Sequence, residues 1–158
     1  MERLADLIAR HARDGCLDRI GLRPARLADP VAVDVAEVLE SGLEGDHARP
    51  GKRAVTLIQA EHLAVIGAYL GRGPVPPEVL RRNLVVSGLN LSALKGRRIA
   101  IGGAVLRVTG MCAPCSRMEA ALGPGGYSAM RGHGGWCAEV LTPGRIALCD
   151  AVRPLSEE

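Results

Sequence analysis

Glycine and proline divide this chain into pieces too short for long helices. Twenty glycines and ten prolines punctuate its 158 residues. Between them run short apolar segments, several with alternating character: Leu17–Leu27, Val31–Val38, Ala54–Gln59, Asn83–Gly88, Arg98–Gly102, Ala104–Val108, Trp136–Leu141 and Arg145–Cys149. Apolar alternation with period two, bounded by turn residues, predicts β-strands. These strands outnumber the helical stretches and do not alternate with them regularly, which excludes a doubly wound parallel sheet. So many short strands in a chain of this size are best served by a partly closed barrel, which removes exposed edges. The expectation is one mainly β domain over residues 1–158, with a helix in residues 1–15 and a barrel core with inserted helices in 16–154.

Four stretches read as helix. Leu4, Leu7, Ile8 and His11 recur at helical spacing, so Glu2 to Arg13 reads as an amphipathic helix ended by Gly15. Glu61 to Leu70 reads as a second, with His62 on its solvated side, and Glu78 to Arg82 as a single turn. Met118 to Leu122 is a short fourth. The loop from Ser41 to Arg53 is denser in glycine and charge than a connection requires, and such loops tend to carry function.

Composition narrows the chemistry. Aromatic residues make up 2% of the chain, with no phenylalanine and one tryptophan, so the core must come from Leu, Val, Ile and Ala. The same scarcity argues against binding single-stranded nucleic acid, which uses aromatic stacking platforms. A net charge of +3 from scattered arginines points to small anionic ligands at most. No apolar run approaches the length of a membrane span, and the first residues lack the apolar centre of an export signal. With five cysteines, an odd number, the expectation is a reducing cytoplasm and free thiols.

Two of those thiols stand in Val105-Leu-Arg-Val-Thr-Gly-Met-Cys112-Ala-Pro-Cys115-Ser-Arg117, a strand running into a loop and then a helix. A cysteine beside a helix N-terminus gains thiolate character, and Arg117 adds positive charge nearby. Two buried small hydrophobes are the plain reading. A dithiol redox pair is another, though the motif sits two-thirds along a β-rich chain and not after the first strand of a βαβ unit. Zinc held by Cys112, Cys115, His133 and Cys137 is a third, since four such ligands can close a tetrahedron. The last is a single reactive cysteine facing an anionic or metal-containing ligand. The other polar loops support it: Asp46 and His47 are adjacent, and Arg81, Arg82 and Asn83 precede a strand.

Six motifs, taken in order, resemble one family. They are Gly42-Leu-Glu-Gly-Asp46-His47, Arg81-x-Asn83-x-x-x-x-Gly88, Ile101-Gly102-x-Ala104-x-Leu106, Cys112-x-Pro-Cys115, Gly134-Gly135-x-Cys137-x-Glu139-Val140 and Pro143-Gly144-x-Ile146. From roughly Arg19 to Val152 the chain resembles a MOSC domain, the module at the C-terminus of molybdenum cofactor sulfurases and in small stand-alone bacterial proteins. The resemblance implies a β-barrel with peripheral helices and an anionic pterin cofactor, with Cys115 as the reactive thiol and molybdenum ligand. It implies that Arg81 and Asn83 contact the pterin phosphate region; Asp46, His47, Cys112 and Arg117 are the further candidate cofactor-binding residues. One departure is Cys149-Asp150, where the family usually has Gly-Asp.

Three roles follow as expectations. The first is an enzyme that holds molybdenum cofactor through Cys115 and reduces a small substrate such as an N-hydroxylated compound, served by an electron-donor protein. The second is a carrier that accepts sulfur as a Cys115 persulfide from a sulfur-donor protein, and the third a structural or binding module. Lys52 and Lys95 are the only lysines and neither sits in a cofactor-binding context, so no pyridoxal phosphate is expected on this chain.

Overall fold

A closed barrel of seven strands organises the chain in a computed structural model that describes residues 1–157. The strands are β1 (Gly15–Leu22), β2 (Val31–Val33), β3 (Val35–Leu39), β4 (Gly42–Leu43), β5 (Val55–Gln59), β6 (Leu84–Ser87), β7 (Arg98–Ile101), β8 (Ala104–Met111), β9 (Trp136–Thr142), β10 (Gly144–Ala147) and β11 (Ala151–Pro154). Around the barrel the order is β11, β7, β8, β9, β5, β6 and β1, and β1 closes the ring by pairing with β11. β2 extends the sheet from β1. β10, β3 and β4 form a separate three-stranded sheet whose buried Ala36, Val38, Leu43 and Ile146 join the barrel core.

Alternation explains the barrel wall. In β8, Ala104, Leu106 and Val108 point inward, and in β7, Ile99 and Ile101 do the same. Leu, Ile, Val and Ala dominate this interior, as the lack of aromatics requires. β5 is buried along its whole length because it has cover on both faces. Val55 and Leu57 enter the barrel, while Ile58 enters a second core outside it with Ile66, Leu80, Val85, Met118, Leu122 and Met130.

The helices that supply this outer layer are α2 (Ala60–Tyr69), α3 (Pro77–Leu80), α4 (Ser116–Leu122) and α5 (Gly126–Met130). α2 and α3 form the crossover between β5 and β6, which are parallel. A parallel pair needs such a crossover. Among the described residues no helix is long and apolar enough to cross a membrane.

Several sequence expectations change. The N-terminal helix shrinks to α1 (Leu4–Ile8), because its apolar face meets nothing: Leu4 is 70% exposed and Leu7 52%. A helix this short is marginal without packing. Gly15 does not end a helix but begins β1. The segment Val31–Val38 breaks at Asp34 into β2 and β3, which belong to different sheets. Thr109 and Gly110 do not stop β8; the register against β9 slips between Val108 and Gly110, a bulge, and the strand runs on to Met111.

Close approach of backbones fixes some glycines. At Gly135, with φ +98°, an added Cβ would lie 2.2 Å from the Leu57 carbonyl oxygen, whereas at Gly73 it would meet nothing within 4 Å. Gly135→Ala should therefore cost about 3 kcal/mol or more of unfolding free energy, and Gly73→Ala less than about 1 kcal/mol. Urea denaturation of the two variants checks the contrast.

Candidate functional site

One rim of the barrel gathers the polar residues. Arg23 follows β1, Arg53 precedes β5, Asn83 precedes β6, Cys112 follows β8 and Cys137 stands near the start of β9. The strand register brings these ends together, and the loop carrying Asp46–Arg49 closes over them.

A buried carboxylate holds the rim. The Asp46 side chain is fully buried and Arg23 is 15% exposed. Asp46 Oδ1 accepts from the Arg23 amide at 2.6 Å and from Nε at 3.1 Å, and Oδ2 accepts from Nη2 at 2.9 Å. Asn83 Nδ2 donates to Asp46 Oδ1 at 3.1 Å and to the Gly21 carbonyl at 3.0 Å. Asn83 Oδ1 accepts from the Thr56 amide at 3.0 Å, while the Asn83 amide donates to Thr56 Oγ1 at 2.9 Å. Four segments distant in sequence are thereby locked together. Burial raises the Asp46 pKa, but the hydrogen bonds and charge of Arg23, with Asn83, outweigh it and hold the carboxyl below its ordinary value.

His47 is oriented by the same frame. Its amide and its ring Nδ1 both lie 2.9 Å from the Arg23 carbonyl. A carbonyl only accepts, so Nδ1 carries a proton and Nε2 is left free of this bond.

Above this frame is a cleft of about 370 Å³ lined by Arg23, His47, Arg49, Arg53, Cys112 and Cys137, with Thr56 and Met111 among the remaining walls. This volume falls in the lower part of the roughly 300–1,000 Å³ typical of small-molecule sites. A larger hollow of about 470 Å³ lies between α1 and the C-terminal segment, but no thiol lines it. Chemistry, not size, singles out the smaller cleft.

Cys112 and Cys137 both line it, close enough for each thiol to shift the other's pKa. The hydrogen bond from Cys137 lowers the Cys112 pKa to about 6; burial opposes this, and the positive charges of Arg82, Arg23 and Arg53 add to the lowering. Cys137 is pushed up, first by donating its proton to Cys112 and then by burial. At neutral pH the cleft therefore holds a thiolate at Cys112. Arg82 is itself buried, donating to the Gly134 and Leu80 carbonyls at 2.8 Å each.

The residues singled out by sequence separate into two groups. Cys112 and His47 line the cleft, and Asp46 and Asn83 lie beneath it as its buried support. Arg81 turns away: as the left-handed cap of α3, with φ +59°, it sends its guanidinium to the carbonyls of Ala25, Arg26 and Ala28. Arg117 reaches the same Arg26 carbonyl at 3.5 Å. Cys115 caps α4 at the protein surface, exposed and outside the cleft lining. The four residues of the zinc arrangement do not converge, since His133 faces His62 at a ring separation of 5.0 Å and Tyr69 at 5.7 Å. Among the described residues no group of three or more His, Cys, Asp or Glu is placed to hold a metal ion.

A family model of the MOSC domain matches residues 40–153. The chain belongs to the MOSC domain family. Among solved structures, the YuaD protein from Bacillus subtilis shares the fold with a TM-score of 0.80 at 20% identity, covering 92% of this chain and 98% of that one. YiiM from Escherichia coli gives 0.72 at 22% identity over 90% of this chain and 71% of that one. YiiM from Geobacillus stearothermophilus gives 0.74 at 20% identity over 90% and 75%. No curated protein matches the chain. These likenesses establish the MOSC barrel, and the family is one associated with molybdenum cofactor binding.

Arg23, Arg49, Arg53 and Thr56 were not singled out in the sequence. Arg49 and Arg53 stand in the loop from Ser41 to Arg53 whose density of charge marked it as functional. Arg23 has no local signal, because its role depends on Asp46 across the barrel rim.

Two predictions follow from the charges. The folded-state pKa of Asp46 is lower than the unfolded one, so its ionised form contributes stability above the ordinary value of 3.8, and this is lost as pH falls through the folded-state value. Asp46→Asn should cost about 2–4 kcal/mol at neutral pH and flatten the acid limb of a stability–pH curve measured by urea denaturation. Alkylation of Cys112 by iodoacetamide, followed by peptide mass spectrometry, should rise with a midpoint near pH 6. In Cys137→Ala that midpoint should move upward, because the donor to the thiolate is gone.

Proposed function

We propose that this chain binds the molybdenum cofactor, or a related pterin–sulfur ligand, in the rim cleft, with the Cys112 thiolate as its soft ligand. The observation that carries this reading is a cleft in which Cys112, its thiol pKa lowered, stands among Arg23, Arg49 and Arg53. A thiolate suits a soft metal, and guanidinium forks suit the oxygen anions of a pterin phosphate. When bound, the cofactor supplies the redox-active metal. The chain's own residues do the rest. Arg49 and Arg53, both exposed at the cleft and without a salt-bridge partner among the described residues, meet the anionic groups. Cys137 holds a hydrogen bond on the Cys112 sulfur, and His47 presents Nε2 to the bound molecule.

The reaction class that fits is reduction of a small substrate such as an N-hydroxylated compound, with electrons from a donor protein. A second reading rests on the exposure of Cys115. There the thiol accepts sulfur as a persulfide from a donor protein and passes it on. Intact-mass measurement after incubation with a sulfur donor should then show one added sulfur that Cys115→Ser abolishes.

The deciding experiment is the molybdenum and pterin content of protein purified gently from a cofactor-producing host. The expected result is close to one of each per chain. Cys112→Ser should lower molybdenum at least tenfold, Arg53→Ala should weaken retention about tenfold, and Cys115→Ser should leave both near the parent level. Retention by Cys112→Ser with loss in Cys115→Ser would move the ligand to Cys115. Absence of molybdenum and pterin from the parent protein would overturn the reading.

A further inference from the structure

Cys16 and Cys149 stand apart from the cleft, on the outside of the barrel where it closes. Strand β1 meets β11 there through two registered pairs among the described residues, Gly15 with Val152 and Cys16 with Ala151. The β10–β11 turn continues the contact. The Leu17 amide donates to the Asp150 carbonyl and the Cys149 amide to the Leu17 carbonyl, each at 2.9 Å. Burial and Asp18 raise the Cys16 pKa, and the neighbouring Cys149 thiol adds to the rise, so the two thiols lie close to one another. Cys149 is exposed and Cys16 half-buried, so reagents in solution reach the pair.

Cys149 also holds a conformation that disfavours a side chain. Its φ is +70°, in the left-handed region where glycine sits without strain. A cysteine at this position brings a second thiol near Cys16, which glycine cannot do. Strain kept at one residue, beside a second thiol, points to use of the pair.

We propose that Cys16 and Cys149 are a redox modification site, in which a hydroperoxide oxidises the two thiols to a disulfide that staples the seam of the barrel. The exposed Cys149 sulfur, as thiolate, attacks the peroxide. The O–O bond breaks, a sulfenic acid forms on Cys149, and the remaining oxygen leaves as water or alcohol after taking up a proton. Cys16 then loses its proton and attacks the Cys149 sulfur; the S–S bond forms, the S–O bond breaks, and hydroxide leaves with that proton as water. Two electrons pass from the two thiols to one peroxide, and a dithiol reductant reverses the change. The bridge joins the first barrel strand to the turn before the last, so it encloses nearly the whole domain. A cross-link over so long a loop restricts the unfolded chain strongly.

The test uses the full chain, reduced, then treated with hydrogen peroxide, blocked with iodoacetamide and digested with trypsin. Cleavage after arginine, which spares the Arg153–Pro154 bond, places Cys16 in peptide 14–19, Cys149 in 146–158, Cys112 and Cys115 together in 108–117, and Cys137 in 132–145. The expected product is 14–19 linked to 146–158, restored to separate peptides by dithiothreitol. Its formation should raise the thermal midpoint by roughly 5–15 °C. Cys149→Gly relieves the strained φ, so the reduced variant should melt no lower than the parent while losing the oxidative gain. A cross-link confined to 108–117 and 132–145, no cross-link at all, or a full oxidative gain retained in Cys149→Gly would each overturn the proposal.

Discussion

The contact between Asp46 and Arg23 is the constraint on which the rim depends. A carboxylate with no exposed side-chain surface survives as an ion because every nearby donor is aimed at it: the Arg23 guanidinium and amide, the Asn83 amide and the Ala48 backbone. Such a charge is costly to desolvate, and partial satisfaction would leave it destabilising. The benefit is positional. The end of β1, the loop after β4, the start of β5 and the start of β6 share one hydrogen-bonded frame, and the cleft is the space that this frame leaves open.

The frame also governs the electrostatics of the thiol. Arg23 neutralises Asp46, so the buried carboxylate does not repel the Cys112 thiolate. Arg82 bonds two backbone carbonyls rather than an acid, and its full charge remains effective at Cys112. Hydrogen bonding from Cys137 adds a local contribution that no arrangement of surface charges supplies. The lowered thiol pKa thus falls on one of the two cysteines of the Cys112-x-x-Cys115 motif, while the other lies at the surface.

The barrel was legible because alternation and Gly/Pro punctuation are local signals. β5, β6, β7 and β9 follow the predicted runs closely, and six motifs in order carry the family resemblance. The site was legible as a set of loops but not as a set of atoms. Asp46 and Asn83 were found as candidates for touching a ligand, yet they face each other in the frame, a matter decided by pairing between segments. Arg81 has a left-handed backbone and bonds the Ala25, Arg26 and Ala28 carbonyls, partners that no local pattern announces. Cys112 and Cys115 were distinguished by a bulge: one extra residue between Val108 and Gly110 carries β8 to Met111 and sets Cys112 over the cleft. No composition rule announces that slip. The α1 face fails for the opposite reason, since its helical pattern is clear but nothing packs against it.

The order of strands around the barrel has a consequence for synthesis. β1 can pair with β2 soon after it is made, but its two neighbours in the closed ring are β6 and β11, far along the chain. Until β11 has left the exit tunnel, β1 and β7 each keep a strand edge without its partner. Long-range pairing of this kind is slow to form and leaves edges open to wrong association. Until β11 is made the barrel strands are therefore an open sheet with unsatisfied backbone groups, and β11 seals the ring.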